Sequence, residues 1–467
     1  MGWPRIFLLF LCVAARGQQD FSAQFERIKA KATARQLYAL LYELPKGGDL
    51  HHHGSLAAYP EEWLAAATNP QVLKGNRFYT RLRFLACPDS VEPFLRFHTI
   101  ARFQWQQLSE CAKAEYIALQ EMSEPQRLEW LSAMRLDRRG EGREEFFERI
   151  VARLAALGRD PHVLLEVMAR YVLRYSHEGL AYLETQFNPR NAVDERGQPV
   201  PVDEYVRLLR QTLERRELKS SGVTLRFLYP VIRFHPEAEK MVESAYAFVA
   251  QNRDLWVGLN LVGREDNDKG HALRFLDVFR AMRRKYSGVH LSIHGGEVDS
   301  PGREVRNTLL LGAERIGHGF NLITDPDTLL LLRHGRNLIE VCLVSNYLLE
   351  YVDHFARHPF VEYLRLGIPV SLNTDDPGVW ESNLTDEYFL ALRHFHLSWS
   401  EVVEVGLNSL EHAFLEPALK AQLIARYKSR IRAFEAKYSA PDWETKLNAV
   451  QPSISGFARR HLLVGAD

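Results

Sequence analysis

Leu291-Ser-Ile-His-Gly-Gly-Glu-Val298 is a short apolar run that stops abruptly on His294, Gly295, Gly296 and Glu297. A stretch of this length, rich in β-formers and bounded by glycines, reads as a buried strand ending on an imidazole and a carboxylate three residues apart. Two similar endings follow it. Arg315-Ile-Gly-His-Gly-Phe320 sets His318 between glycines, and Pro369-Val-Ser-Leu-Asn-Thr-Asp-Asp-Pro377 ends on Asp375 and Asp376. Another precedes it: in Gly48-Asp-Leu-His-His-His-Gly-Ser55, His51 and His53 stand two apart. Residues i and i+2 of a strand face the same side, where two imidazoles can share one ion. The middle histidine, His52, then faces the other way and reads as a hydrogen-bonded core or surface residue.

Working outward, strand-like runs occupy 48–53, 180–186, 223–232, 256–262, 289–294, 315–318, 338–343 and 369–373, with helical patterns between them. Eight strands alternating with helices, mostly apolar rather than alternating, describe a parallel sheet covered on both faces. A doubly wound sheet has the same alternation, but it gathers ligands at its switch point. Here polar residues end strands 1, 4, 5, 6 and 8, which is where a (β/α)8 TIM barrel carries its active site. The expected organisation is a signal segment over 1–17, a helical lead-in over 18–45, a barrel over 46–438 with a helical insertion over 60–177, and a C-terminal tail over 439–467. Asp299 and Ser300, ahead of Pro301, read as a helix N-cap.

The chain of 467 residues is 46% hydrophobic and carries 59 basic and 59 acidic residues. That balance offers no basic face for nucleic acid or an anionic membrane and favours a small-molecule partner. Arg5, the apolar block 6–15 and the small residues up to Gly17 form the pattern of a secretory signal, too short to span a bilayer. The expectation is therefore a secreted or periplasmic protein without a membrane span. Cys12 lies in that segment; of the rest, Cys87 and Cys111 are the plausible disulfide pair, because Cys342 falls within a buried strand pattern. The absence of a CxxC pair excludes a zinc finger and the cytidine-deaminase type of zinc site.

In a closed barrel, strand 8 lies beside strand 1, so His51, His53, His294 and Asp375 converge. Nitrogen and oxygen donors with an open position suit Zn²⁺ acting on water, with Fe²⁺, Co²⁺ and Mn²⁺ also compatible. Strand 4 contains no lysine to bridge a second metal, so one ion is expected. Glu297 and His318 remain as an acid/base pair beside it.

His51-x-His53, His294-Gly-Gly-Glu297, Gly317-His318-Gly319 and Ser371-Leu-Asn-Thr-Asp-Asp-Pro377, in this order, resemble the adenosine deaminase family. The likeness runs from about Leu44 to the mid-430s, and the leader and long insertion are similar to the secreted, growth-factor-related branch. The resemblance implies that His51, His53, His294 and Asp375 hold zinc and that Glu297 protonates purine N1. It further implies that His318 orients and deprotonates the water with Asp375 touching it, that Asp376 meets N7, and that the Gly263 amide meets N3. The expected reaction is hydrolytic deamination of adenosine or 2′-deoxyadenosine. Where the family has Leu-Asp-Gly after the second histidine, this chain has Gly54-Ser55-Leu56, so Ser55 occupies the position of the ribose-binding aspartate. That change leaves adenine or a modified nucleoside as rival substrates, and a secreted purine-binding or signalling protein as the non-enzymatic rival.

Overall fold

The computed structural model describes residues 21–464 apart from 90, 91, 93, 139, 267, 268 and 463; the expected signal segment lies outside the described residues. Eight parallel strands follow one another in space as in sequence: β1 (Gly47–Asp49), β2 (Leu180–Gln186), β3 (Thr224–Ile232), β4 (Trp256–Val262), β5 (His290–Gly295), β6 (Arg315–His318), β7 (Leu338–Val341) and β8 (Val370–Leu372). The ring closes just beyond β1 and β8. There the His53 amide donates to the Asp375 carbonyl and the Asp375 amide to the His51 carbonyl, each at 2.9 Å. With helices packed around it, this is the expected (β/α)8 barrel.

The strands form where the sequence is apolar on both faces, because one face fills the barrel and the other meets the helices. β2 is buried along its whole length. The barrel interior also holds charge. Arg315 on β6 pairs with Glu184 on β2, and its Nε lies 2.7 Å from Glu340 on β7. All three side chains are at most 1% exposed, so the ions survive burial only because each has its partner.

Several boundaries differ from the sequence reading. β1 ends at Asp49, and His52 and His53 make only isolated bridges, to Asp375 and Gln186. β7 ends at Val341, and a short helix, Leu343–Leu348, begins where the apolar run had suggested more strand. Glu387 supplies the reason: its carboxylate accepts the Leu343 and Val344 amides at 2.8 and 3.1 Å and so satisfies the first turn of that helix. Cys342 sits buried at this corner. Asp299 and Ser300 cap nothing: the helix Glu304–Leu311 starts after Arg303, and Asp299 pairs with Arg143 at 2.8 Å.

The insertion is not wholly helical. Phe78–Arg81 pairs antiparallel with both Thr99–Ala101 and Tyr116–Ala118. Tyr79 stacks on Trp105 with centroids 4.5 Å apart, and Arg81 pairs with Glu115 at 3.1 Å, so local cross-strand packing outweighs the helical composition around it. Cys87 and Cys111 form the expected disulfide. Beyond it, Arg143–Glu145, a π-helical turn Phe146–Ile150 and Val151–Arg159 run as one bent helix. At the ends of the described chain, a helix over 21–31 sets Phe21 and Phe25 against Trp399, and Ala34–Glu43 packs on Trp443–Ala449; that helix and Gly456–His461 lie in the tail for which the sequence had offered no reading.

Candidate active site

Each strand ending singled out in the sequence arrives at one point. His51 Nε2 lies 3.1 Å from His294 Nε2 and 3.4 Å from Asp375 Oδ1, and His53 Nε2 lies 3.1 Å from the same Asp375 oxygen. His318 belongs to the same cluster, with one donor atom each from His51, His294, His318 and Asp375 within 4.8 Å of one another. Asp376 forms a second, overlapping group with His53 and Asp375.

Backbone geometry carries these side chains inward. His318 and Asp375 adopt φ of 61° and 60°, a left-handed conformation that costs a non-glycine residue about 1–2 kcal/mol. Two such residues at the centre of the site indicate that the surrounding structure enforces their orientation. Gly317 is required beside them: a Cβ there would stand 2.5 Å from the His51 ring. At the end of β4, Gly263 has φ of 95°, and a Cβ would meet the Phe234 ring at 2.6 Å.

An outer ring of residues sets which nitrogen of each imidazole faces the centre. His51 Nδ1 donates to Glu340 Oε2 at 2.8 Å, and Glu340 is itself held by Arg315 and by the Ser292 hydroxyl. Asn260 Oδ1 accepts both the His294 backbone amide, at 3.2 Å, and His294 Nδ1, at 2.8 Å. Both imidazoles therefore spend their Nδ1 proton outward and present a bare Nε2 to the centre, the form in which histidine binds a metal. The charge balance points the same way. Burial lowers the His51 pKa, but hydrogen bonds and charges from Asp375 and Glu340 more than reverse this, raising it to about 10. The carboxylates that cause this rise favour positive charge at the centre, and three imidazoles with a carboxylate fit a divalent ion.

Glu297 behaves differently from Asp375. Burial, reinforced by the nearby carboxylates of Asp375 and Glu265, pushes its carboxyl well above the ordinary range and so favours its protonated form. Its Oε2 lies 3.7 Å from His318 Nε2. Asp376 is likewise raised by burial and by Asp375, and its Oδ1 is buried without a hydrogen-bond partner among the described residues. The turn carrying Glu297 is clamped from behind. Glu265 accepts the Gly296 amide at 3.0 Å, and Arg233, paired with Glu265, donates to the His294 carbonyl at 2.8 Å.

These groups floor a cavity of about 580 Å³. Its walls are largely apolar, from Leu56, Phe187, Ile232, Phe234 and Val262, with Phe146, Phe147 and Val151 of the inserted layer lining it as well. Ser55, Gly263, Glu148, Asn188 and Asn191 also line it.

All candidate residues named from the sequence thus lie at or around one cavity. His52 faces away as expected, its Nδ1 2.7 Å from Thr185 Oγ1. Of the polar residues that follow β3, Arg233 is buried behind the site and His235 is exposed. The sequence reading missed Glu340, Asn260, Glu265, Asn346 and His358. A glutamate inside the apolar run Leu338-Ile-Glu-Val341 and an asparagine inside Trp256–Val262 were the available signals, since a polar side chain in a doubly covered strand needs a reason.

Donors gathered where barrel strands end, beside a carboxylic acid able to release a proton, equip a metal-dependent barrel hydrolase. The sequence model of the adenosine deaminase family matches residues 106–429, and the chain belongs to that family. It is 27% identical to an adenosine deaminase of Xenopus laevis over 295 residues, 60% of this chain and 80% of the relative. It is 33% identical to an adenosine deaminase of Klebsiella pneumoniae over 278 residues, 60% of this chain and 79% of the relative. Among solved structures it shares its fold with an adenine deaminase of Arthrobacter aurescens, with a TM-score of 0.62, 19% identity, and coverage of 83% of this chain and 99% of that one. The family match begins after His51 and His53, yet the fold brings both to the same centre as the matched motifs.

Proposed function

We propose that the chain is an exported, zinc-dependent aminohydrolase that converts adenosine or 2′-deoxyadenosine into the inosine analogue and ammonia. The observation that carries this reading is the placement of Glu297, a buried carboxyl whose pKa is raised, beside the donor cluster of His51, His53, His294 and Asp375 on the floor of one cavity. Zinc held by those four residues supplies Lewis acidity and an acidified water.

The protein's own groups then do the following. Glu297 gives its proton to N1, which makes C6 electrophilic. His318 and Asp375 flank the water and direct it at C6, and its proton passes back to Glu297 as the C6–O bond forms. When the C6–N6 bond breaks, the remaining hydroxyl proton leaves with the amino group as ammonia, so N1–H and C6=O remain. Asp376, whose protonated form burial favours, hydrogen-bonds N7, and the Gly263 amide meets N3. The apolar lining, Phe146 and Phe147 included, surrounds the site with surface that favours the protonated form of Glu297.

The cavity volume suits a nucleoside. Adenine, or another 6-aminopurine, is the second reading, favoured by Ser55 in place of a ribose-binding carboxylate. Export is supported by the Cys87–Cys111 disulfide, which belongs to an oxidising compartment.

Ultraviolet absorbance of zinc-loaded protein with adenosine, deoxyadenosine, adenine and AMP in parallel tests the reading. Nucleoside turnover that stops on chelation and returns with zinc is expected. Glu297→Gln should retain zinc and lose at least about 10²-fold in rate. Unchanged turnover in that variant refutes the role of Glu297.

A further inference from the structure

We propose that Asn346 and His358 are positioning residues that hold His318 as a hydrogen-bond donor toward the reacting water, leaving Asp375 to accept the water's proton. The inference rests on the reaction proposed above and divides a task that His318 and Asp375 there share.

The argument starts from one backbone amide. The Phe360 N–H donates to His358 Nδ1 at 3.1 Å. A backbone N–H has no other role, so Nδ1 of His358 is an acceptor and its ring proton sits on Nε2. That nitrogen lies 3.0 Å from Asn346 Oδ1, to which it donates. The amide orientation of Asn346 is thereby fixed, and its Nδ2 donates to His318 Nδ1 at 3.2 Å. An Nδ1 that accepts carries no proton, so the His318 proton is on Nε2.

Nε2 of His318 is buried, has no protein partner among the described residues, and faces the donor cluster. All three relay side chains are essentially inaccessible to solvent, so water does not compete for these bonds. The polarity is the reverse of that at His51 and His294, which donate outward through Nδ1 and turn a bare Nε2 inward. Opposite polarity separates a metal ligand from a non-ligand among residues that distance alone groups together. With Nε2–H pointing inward, His318 can stabilise charge developing on the attacking oxygen but cannot remove its proton. The available acceptor in the cluster is the Asp375 carboxylate, which passes the proton on to Glu297.

The test is a two-bond ¹H–¹⁵N correlation spectrum of zinc-loaded, ¹⁵N-histidine-labelled protein, with His318 assigned by its loss in His318→Gln. A neutral Nε2–H tautomer is expected; the Nδ1–H tautomer overturns the proposal. Asn346→Asp presents only acceptor oxygens, so it should move the His318 proton to Nδ1. It should also lower kcat by about 10²-fold or more with KM changed less than about threefold. A reversed tautomer with unchanged kcat overturns the role. Should Asn346→Asp fail to fold, a second pair decides. His358→Gln can still accept from Phe360 and donate to Asn346, and is expected to keep the wild-type tautomer and rate, whereas His358→Phe loses both. Equal losses in the two variants mean a packing role and overturn the proposal. The tautomer is read without substrate, so a wild-type enzyme that ignores adenosine would sink the proposed reaction while leaving the relay measurable.

Discussion

Glu340→Gln is the most informative single change outside the cavity. The carboxylate takes His51 Nδ1–H and the Ser292 hydroxyl, each at 2.8 Å, and is ion-paired with Arg315, whose Nε lies 2.7 Å away; its side chain is fully buried. Glutamine preserves the volume but offers one acceptor atom, and its NH₂ must face a donor. An unsatisfied buried donor costs about 1–3 kcal/mol, and the remaining bonds fall from charge-assisted to neutral strength, roughly halving them. Arg315 keeps Glu184, so the full cost of an unpaired buried ion is avoided. A loss of about 2–4 kcal/mol in stability follows. If the NH₂ faces His51, the imidazole must move its proton to Nε2, where it blocks the ligand position. Outer-ring changes of this kind weaken metal binding about 10–100-fold, equivalent to about 1.4–2.7 kcal/mol. Chelator competition against a fluorescent zinc indicator measures the affinity, and calorimetry of the zinc-free protein measures the stability. Zinc affinity within about twofold of wild type, with unaltered unfolding, refutes the claim that Glu340 orients His51.

Gly263→Ala imposes a left-handed conformation on alanine and places its Cβ against Phe234; a loss of about 1–2 kcal/mol and a raised KM for the purine, with kcat little changed, are expected. An unchanged KM argues against the N3 contact. Burial pushes Asp386 up to about 7, against a hydrogen-bonding environment of Ser455 and Tyr38 that pulls the other way. Its unfolded value is near 3.9, so the folded chain holds the proton more tightly; the contribution to stability is complete below about pH 4 and is lost as pH rises to about 7, amounting to at most about 4 kcal/mol. Chemical denaturation of wild type and Asp386→Asn across that window should show the difference between them sloping with pH, and parallel curves contradict the assignment. Cys87 and Cys111 are 24 residues apart, which predicts about 3 kcal/mol from the disulfide, read as a lower melting temperature of the Cys→Ser double variant. Identical melting would show that the bond constrains nothing.

The barrel was legible because each strand that reaches the site ends on a residue whose chemistry has no place in a core. His51, His53, His294, Glu297, His318, Asp375 and Asp376 announced themselves at glycine- or proline-bounded ends, and the period of the intervening helices supplied the topology. What escaped was the layer behind them. Glu340 and Asn260 lie inside strands, where apolar neighbours mask them, and their partners are 289 and 34 residues away, separations that no local pattern encodes. Asn346 sits on the helix Leu343–Leu348, where the apolar run Cys342-Leu-Val had suggested more strand, and His358 follows the short turn Phe355–Arg357. The small sheet of the insertion was missed for a related reason: strands of three or four residues stabilised by Tyr79 on Trp105 and Arg81 on Glu115 leave too short a period to detect.

The closure beyond β1 and β8 has a kinetic meaning. The peptide groups that fasten the ring are those of His51, His53 and Asp375, so the bonds that complete the cylinder and the side chains that gather a cation belong to the same three residues. A chain whose ring has opened at this point cannot retain its donor cluster, and an ion bound by that cluster rivets first strand to last across more than 300 residues of sequence. Amide exchange at His53 and Asp375 should therefore slow in proportion to ion occupancy, making these two protons a direct gauge of how tightly the cylinder is locked.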